Sequence, residues 1–297
     1  MFWLYITIAA YLLFALANIG DKLVVSKFKT EPIAYAFYVG VLGITSVFLI
    51  PFGVGLASSF VLLLSFLAGA AFVLAAFFMY QALRQGETSK AITLLGSSSP
   101  IFTFLLAFLF LQERLLFNQL LAFIILVMAI ILISWQLENG KKFNKKLIFW
   151  ALMAGLFFSS NYVLTKYLYN FGNYFTIFFW TRMGGVLSAL LIFLLPQARN
   201  LIKTDWRKPK KQKGLLVLAI QIAGGAGVMM QSYALKLASA TLVNALQAIQ
   251  YALVFILALF LGSKIPILKE SQQSQQIIPK IIAIILVALG LYFLTIK

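Results

Sequence analysis

Ten apolar runs, each about the length that spans a bilayer as a helix, follow one another along this chain with little between them. They are Trp3–Ile19, Pro32–Phe52, Phe60–Leu83, Ala91–Leu111, Asn118–Trp135, Leu147–Leu168, Phe175–Leu195, Gly214–Leu235, Thr241–Gly262 and Ile278–Ile296. Hydrocarbon offers a backbone amide no partner, so each run must close its own hydrogen bonds as a helix or within a closed barrel. Their length and the lack of strict alternation choose helices. The expected fold is an all-α integral membrane protein of ten transmembrane helices. Composition agrees, with 63% of residues hydrophobic and 10% charged, where a soluble domain carries about 25% charge.

The only sizeable hydrophilic segments are Glu138–Lys146, Gln197–Lys213 and Ser263–Ile277. None is long enough to bury a core, so one membrane-embedded body is expected, with no attached enzyme domain. The start, Met1-Phe2-Trp3-Leu4, lacks the basic residues of a cleavable signal and reads as the beginning of the first span. Cysteine and histidine are both absent. That removes disulfides, thiol catalysis, haem ligation and the usual zinc ligands.

Seven acids exist: Asp21, Glu31, Glu87, Glu113, Glu138, Asp205 and Glu270. Each is read at or beyond the end of an apolar run. No metal site, cofactor or catalytic carboxylate pair is expected, and an integral membrane enzyme is disfavoured. Proton-driven pumps place acids or histidines at membrane depth. With none placed there, uniport or exchange is the expected mode. The net charge of +17 sits in short loops between spans, which is the pattern of a membrane protein and not of a nucleic-acid binder. Loops after odd-numbered runs carry Lys22, Lys27, Lys29, Arg84, Lys90, Lys141, Lys142, Lys145, Lys146, Arg199 to Lys213, Lys264, Lys269 and Lys280. The other face has little beyond Arg114, Lys166, Lys236 and Lys297. Counting basic residues therefore puts the odd loops in the cytoplasm and both termini outside.

The basic segment divides the chain into two groups of five runs: 1–136, a linker 137–146, and 147–297. Landmarks recur across the division at about 150 residues. Tyr80-Gln81-Ala82-Leu83-Arg84 is echoed by Tyr233-Ala234-Leu235-Lys236, and Ala91–Gln112 by Ala240–Gly262. Asn18 and Lys22 correspond to Asn161 and Lys166, Gly40 to Gly184, and Pro51 to Pro196. Copies with an odd number of spans lie upside down relative to each other, and inverted repeats place a binding site at the midplane where they meet.

Polar residues within the runs are the candidate lining. Arg182 lies about two turns inside the seventh run, among Phe178, Phe179, Trp180, Met183 and Gly184-Gly185. A cation there meets an anionic group on a substrate or snorkels to headgroups. Asn244, Gln247 and Tyr251 share one helical face, with Gln250 beside it. They line a cavity or act as interhelical hydrogen bonds. Ser97-Ser98-Ser99 before Pro100 mark a loosened helix or a simple kink. Ser98, Asn161 with Ser159 and Ser160, Asn18, Tyr80, Gln81, Gln231 and Tyr233 complete the set. Lys22 and Lys166 read as interfacial anchors, and Gly224-Gly225-Ala226-Gly227 as a close-packing face and not a phosphate loop.

One further pattern runs from Pro100-Ile101-Phe102 through Leu109-Phe110-Leu111-Gln112-Glu113-Arg114 to Gln119-Leu120-Leu121-Ala122-Phe123. Another is Asn161 and Lys166 followed by Arg182. With ten runs in about 300 residues, these resemble the ten-helix EamA-type permeases of the drug/metabolite transporter superfamily. The resemblance implies a multi-pass secondary transporter of a prokaryotic cytoplasmic membrane. It implies export of amino acids or related small metabolites; the expected mechanism is alternating access of two halves about a central cavity, and the expected state is a monomer. The chain departs from the family pattern at Gly262-Ser263-Lys264, where the second-half glutamate is displaced to Glu270, and at Tyr38, opposite Arg182. It departs also at Ala122, a usual glycine, and in termini that relatives keep cytoplasmic. The rivals are a flippase for a lipid-linked substrate, marked by a groove open to lipid beside Arg182, and a membrane scaffold, marked by a sealed interior.

Overall fold

The computed structural model describes residues 2–28, 30–84, 88–134, 145–206, 211–261 and 274–295. Twelve α-helices fill them: α1 (Phe2–Phe28), α2 (Pro32–Val41), α3 (Ser59–Arg84), α4 (Thr88–Leu111), α5 (Phe117–Ser134), α6 (Lys145–Leu168), α7 (Tyr174–Leu194), α8 (Pro196–Trp206), α9 (Lys211–Leu237), α10 (Ala240–Ala245), α11 (Gln247–Leu261) and α12 (Ser274–Thr295). A 3₁₀ segment, Leu42–Phe52, continues α2. Among the described residues there is no strand. Eight helical stretches are long and apolar enough to cross a membrane, with a shorter apolar stretch at Phe117–Leu132. The chain is a multi-pass membrane protein.

Within the described residues each of the ten expected runs is helical, eight of them long and apolar enough to cross a membrane, and four readings are corrected. The first helix does not end near Ile19 but continues to Phe28, which carries Asp21 inside it. The second run changes its winding from α to 3₁₀ at Leu42 and stops at Gly53, whose φ of 94° a side chain would resist. The ninth run is not continuous. It breaks at Leu246, where the Ile249 amide turns back to the Leu246 carbonyl. Finally, Gln197–Lys213, read as a loop, begins with α8. Ala198, Ile202 and Asp205 recur at helical spacing and are buried, an amphipathic face that basic composition concealed. Most of the linker 137–146 and most of Ser263–Ile277 lie outside the described residues; the last four residues of Ser263–Ile277 begin α12.

Lipid is as apolar as leucine, so helices here associate through close backbone approach. The tightest crossing joins α3 to α7. A Cβ built on Gly69 would stand 2.2 Å from the Gly185 nitrogen, and one on Gly184 would stand 2.5 Å from the Ser65 carbonyl oxygen. Gly40 and Gly43 seat α2 and the 3₁₀ segment on the same helix, against Ala189 and the Arg182 carbonyl. Gly69→Ala is therefore expected to destabilise the protein by about 1–3 kcal/mol, the range for overpacking a tight core. A lowered denaturation midpoint in detergent checks this, and an unchanged one refutes it.

In chain order, α1 to α5 correspond to α6, α7, α9, α10 with α11, and α12. The packing follows that correspondence. The contact of α1 with α9 is mirrored by that of α6 with α3, the contact of α4 with α6 by that of α11 with α1, and α5 meets α12 directly. The largest contact without a mirror joins α3 to α7. The α3–α7 crossing corresponds to α2 against α9, and no comparable packing is present there.

The two ends of the bundle differ. At one, Glu113 reaches from the turn after α4 to the first residues of α10. Its carboxylate accepts from the amides of Ala240 (2.8 Å) and Thr241 (3.3 Å) and from the hydroxyls of Ser239 (2.8 Å) and Thr241 (3.0 Å). Gln112, at a positive φ of 54°, makes the turn that aims it. Nearby, Lys166 Nζ donates to the Ala238 carbonyl at 2.7 Å, beyond the C-terminus of α9. An acid at a helix start and a base at a helix end both complement the helix dipoles. Lys166 thus binds a neighbouring helix end, a use more specific than interfacial anchoring. At the opposite end α1 finishes and α2 begins, much of the chain lies outside the described residues, and Asp21, Leu83 and Leu218 line the cavity from that side.

Candidate functional site

A cavity of about 510 Å³ occupies the bundle from mid-depth to the end where α1 finishes. Its deep end is polar. Tyr11 donates to the Val243 carbonyl at 2.7 Å and receives the Gln231 amide at 3.0 Å. Asn161 spans from α6 to the Ala68 carbonyl of α3 at 2.8 Å. Tyr162, Gln247, Gln250 and Tyr251 complete this floor. The buried Gln247 Oε1 has no hydrogen-bond partner.

Arg182 stands at the same depth. Its guanidinium lies over Phe72, with Cζ 4.5 Å from the ring centroid, and 5.5 Å from that of Phe178. Nε is buried without a hydrogen-bond partner, and among the described residues no carboxylate pairs with it. The side chain lines the cavity, so it is held by two aromatic rings at mid-depth and does not run out to the headgroups. A buried cation without a counter-ion costs several kcal/mol. A cation–π contact returns only about 1–2 kcal/mol.

Of the residues singled out from sequence, Arg182, Asn161, Gln247, Tyr251, Tyr80 and Asn18 line the cavity. Two do not. Ser98 packs against Gly155 and turns its hydroxyl back to the Leu95 carbonyl at 3.2 Å, while its neighbour Ser99 takes the cavity position. Asn244 lies beneath the floor and donates to the hydroxyls of Ser99 (3.1 Å) and Thr103 (2.5 Å). It joins α10 to α4, which is the interhelical alternative. The helix α4 itself runs unbroken through Pro100.

The sequence missed Asp21. Read as lying beyond the first span, it sits on α1 about 10 Å before that helix ends, by the rise per residue, and lines the mouth of the cavity three residues on from Asn18. Tyr35 donates its hydroxyl to Asp21 Oδ1, and Tyr80 stacks by Tyr35 with centroids 4.5 Å apart. The glycine run on α9 divides its roles. Gly227 packs against Phe14 and the Ala10 carbonyl, as a packing face should. Gly224, Gly225 and Ala226 line the cavity, and a Cβ on Gly225 would meet nothing within 4 Å. Opposite them stand Leu42, Thr45, Ser46 and Leu49 of the 3₁₀ segment. α2 and α9 meet near Tyr35, Ile220 and Gln221, and the cavity opens where α9 stands away from the 3₁₀ segment at Gly225.

The family model described as the EamA-like transporter family matches residues 1–135 and 145–296. No curated protein matches the chain. Among solved structures, one titled only as the crystal structure of a protein superposes with a TM-score of 0.72 at 17% identity. It covers 98% of this chain and 95% of that one. At that identity the likeness speaks for the fold alone.

Proposed function

The chain belongs to the EamA-like transporter family, and from that premise we propose that it moves small organic metabolites bearing an anionic group. The carrying observation is the unpaired Arg182 in the cavity floor. A guanidinium offers a carboxylate or phosphate two parallel charge-assisted hydrogen bonds. Asn161, Gln247 and Tyr251 supply neutral donors and acceptors around it, with Tyr80 and Asn18 nearer the mouth. Amino acids and related compounds fit this volume and polarity.

The proposed mechanism is alternating access between two inverted five-helix repeats, 1–136 and 147–297, joined by the linker 137–146. In this conformation the α3–α7 crossing is shut and, on its counterpart side, α9 stands away from the 3₁₀ segment. In the other conformation α9 closes onto the 3₁₀ segment, and Gly225 acquires the close neighbour it now lacks. The described basic residues Arg84, Lys145, Lys146, Arg199 and Lys203 fall at the end where α1 finishes, and Arg114, Lys166 and Lys236 at the latched end. By basic-residue bias the cavity then faces the cytoplasm of a prokaryotic cell, as loading for export requires.

A flippase for an amphiphilic, lipid-linked substrate is the second reading. Ile222 is 65% exposed at the edge of the gap between α9 and the 3₁₀ segment, close to where Arg182 lies. The open interior speaks against a mere scaffold. A ligand-stabilisation screen of the purified protein separates these. Anionic amino acids or phosphorylated metabolites are expected to raise the denaturation midpoint and to drive counterflow in proteoliposomes. Stabilisation by acyl-bearing ligands alone would move the assignment to the flippase, and stabilisation by none would overturn both.

A further inference from the structure

Asp21 is the one acid that the described cavity holds, and uniport or exchange was expected from sequence because no acid was placed within a span. Three facts about it stand together. It lines the cavity mouth. Its described neighbours are neutral: Tyr35 from α2, Tyr80 from α3, and Gln221 from α9. Among the described residues no lysine or arginine pairs with it, and the nearby Arg84 is already bound to Glu31 at 2.5 Å. The other titratable groups that line the cavity, Tyr11 from α1, Tyr162 from α6, Arg182 from α7 and Tyr251 from α11, lie deeper in the floor.

Asp21 is partly exposed and lines the cavity, so in this conformation water reaches the carboxylate. When α9 closes onto the 3₁₀ segment, that water leaves. One hydroxyl from Tyr35 does not replace a hydration shell, and burying a carboxylate without a counter-charge costs several kcal/mol. A cation on the carboxylate removes the penalty. We propose that Asp21 is a monovalent-cation site, and that the mouth closes only when a proton or a protonated amine neutralises it. Resting on the alternating-access reading, this adds the condition under which the movement occurs. A proton binds by forming an O–H bond at the carboxylate and is released to water when the mouth reopens. An ammonium group binds without covalent change, held by the carboxylate and the face of Tyr80. In the second case the transported molecule itself carries a positive end.

The test reads closure directly and needs no transport substrate. The chain has no cysteine, so a Thr45→Cys, Gly225→Cys pair reports alone. Both positions line the cavity from opposite sides, at similar depth from the mouth. The rate of cross-linking by a short bifunctional maleimide is divided at each pH by the rate at which the same reagent labels the single Gly225→Cys variant, which removes the thiolate's own rise with pH. The expected ratio falls about tenfold per pH unit between about pH 6 and pH 8, because closure binds one proton. Asp21→Asn in the same background is expected to give a high ratio that does not change with pH. Adding ethanolamine at the alkaline end decides the source: restored cross-linking assigns an ammonium site, and restoration by acid alone assigns a proton site. Cross-linking that ignores both pH and amine, or an Asp21→Asn protein that keeps the dependence, overturns the proposal. Asp21→Glu, which keeps the charge, must keep the dependence and guards against a folding artefact. If the cysteines never cross-link in any of these proteins, α9 does not close on the 3₁₀ segment, and the alternating-access reading fails with this proposal. Cross-linking without cation dependence sinks this proposal alone.

Discussion

Arg182→Leu is expected to lower transport of an anionic substrate by about 100-fold while leaving the denaturation midpoint unchanged or higher. The two halves of that expectation come from one observation. A guanidinium whose Nε is buried and unpartnered, resting on Phe72 and Phe178, is a net cost to the folded protein. Leucine fills much of the same space against those rings without the charge, so stability should not suffer. Binding loses two charge-assisted hydrogen bonds, each contributing about 1.5–3 kcal/mol, and every 1.4 kcal/mol is about tenfold. Arg182→Lys separates charge from geometry. Lysine keeps the cation but not the planar fork, so a smaller loss of about tenfold is expected. Full transport by the leucine variant, or a fall in transport that tracks a fall in stability, would remove Arg182 from the binding site.

How far the sequence foretold this site depended on whether a residue's depth or its direction was in question. Depth was legible. Apolar run length placed Arg182 two turns inside its helix, and the shared face of Gln247 and Tyr251 put both on the cavity side. Direction was harder, because a helix that is apolar nearly all round has no polar stripe to show which way it faces. Ser98 and Asn244 illustrate the failure. Each has the right depth, yet each points at a neighbouring helix, where Ser99 and Thr103 take up the amide of Asn244. Asp21 escaped for another reason. Followed by Lys22, it looks like the end of a span, and only the continuation of α1 to Phe28 turns it into the cavity. The breaks in the second and ninth runs were equally silent. Neither the change to 3₁₀ at Leu42 nor the turn at Leu246 coincides with a glycine or proline at that position.

Glu113 carries the second large expectation. The motif that suggested a family also supplies the latch: the residue after the fourth span ends on the first amides of α10, joining the first half to the second. Two of its four hydrogen bonds come from backbone amides at a helix start, where a negative charge is favoured by the dipole as well. Glu113→Ala leaves those amides and the Ser239 and Thr241 hydroxyls to water, which can reach them only if the latched end loosens. If a net 2–3 kcal/mol of the closure is lost, the equilibrium shifts by about 30- to 150-fold toward the conformation open at that end. In the proposed alternating-access cycle, that conformation is the one in which α9 meets the 3₁₀ segment. A change at one end of the bundle should therefore raise cross-linking between cysteines at Thr45 and Gly225, at the other. Glu113→Gln keeps an acceptor oxygen without the charge and should fall between. The distance between mutation and reporter makes this result informative, because local damage at the latch cannot by itself bring α9 onto the 3₁₀ segment. Unchanged cross-linking in the alanine variant would mean that the two ends do not exchange, and that Glu113 only holds helices together.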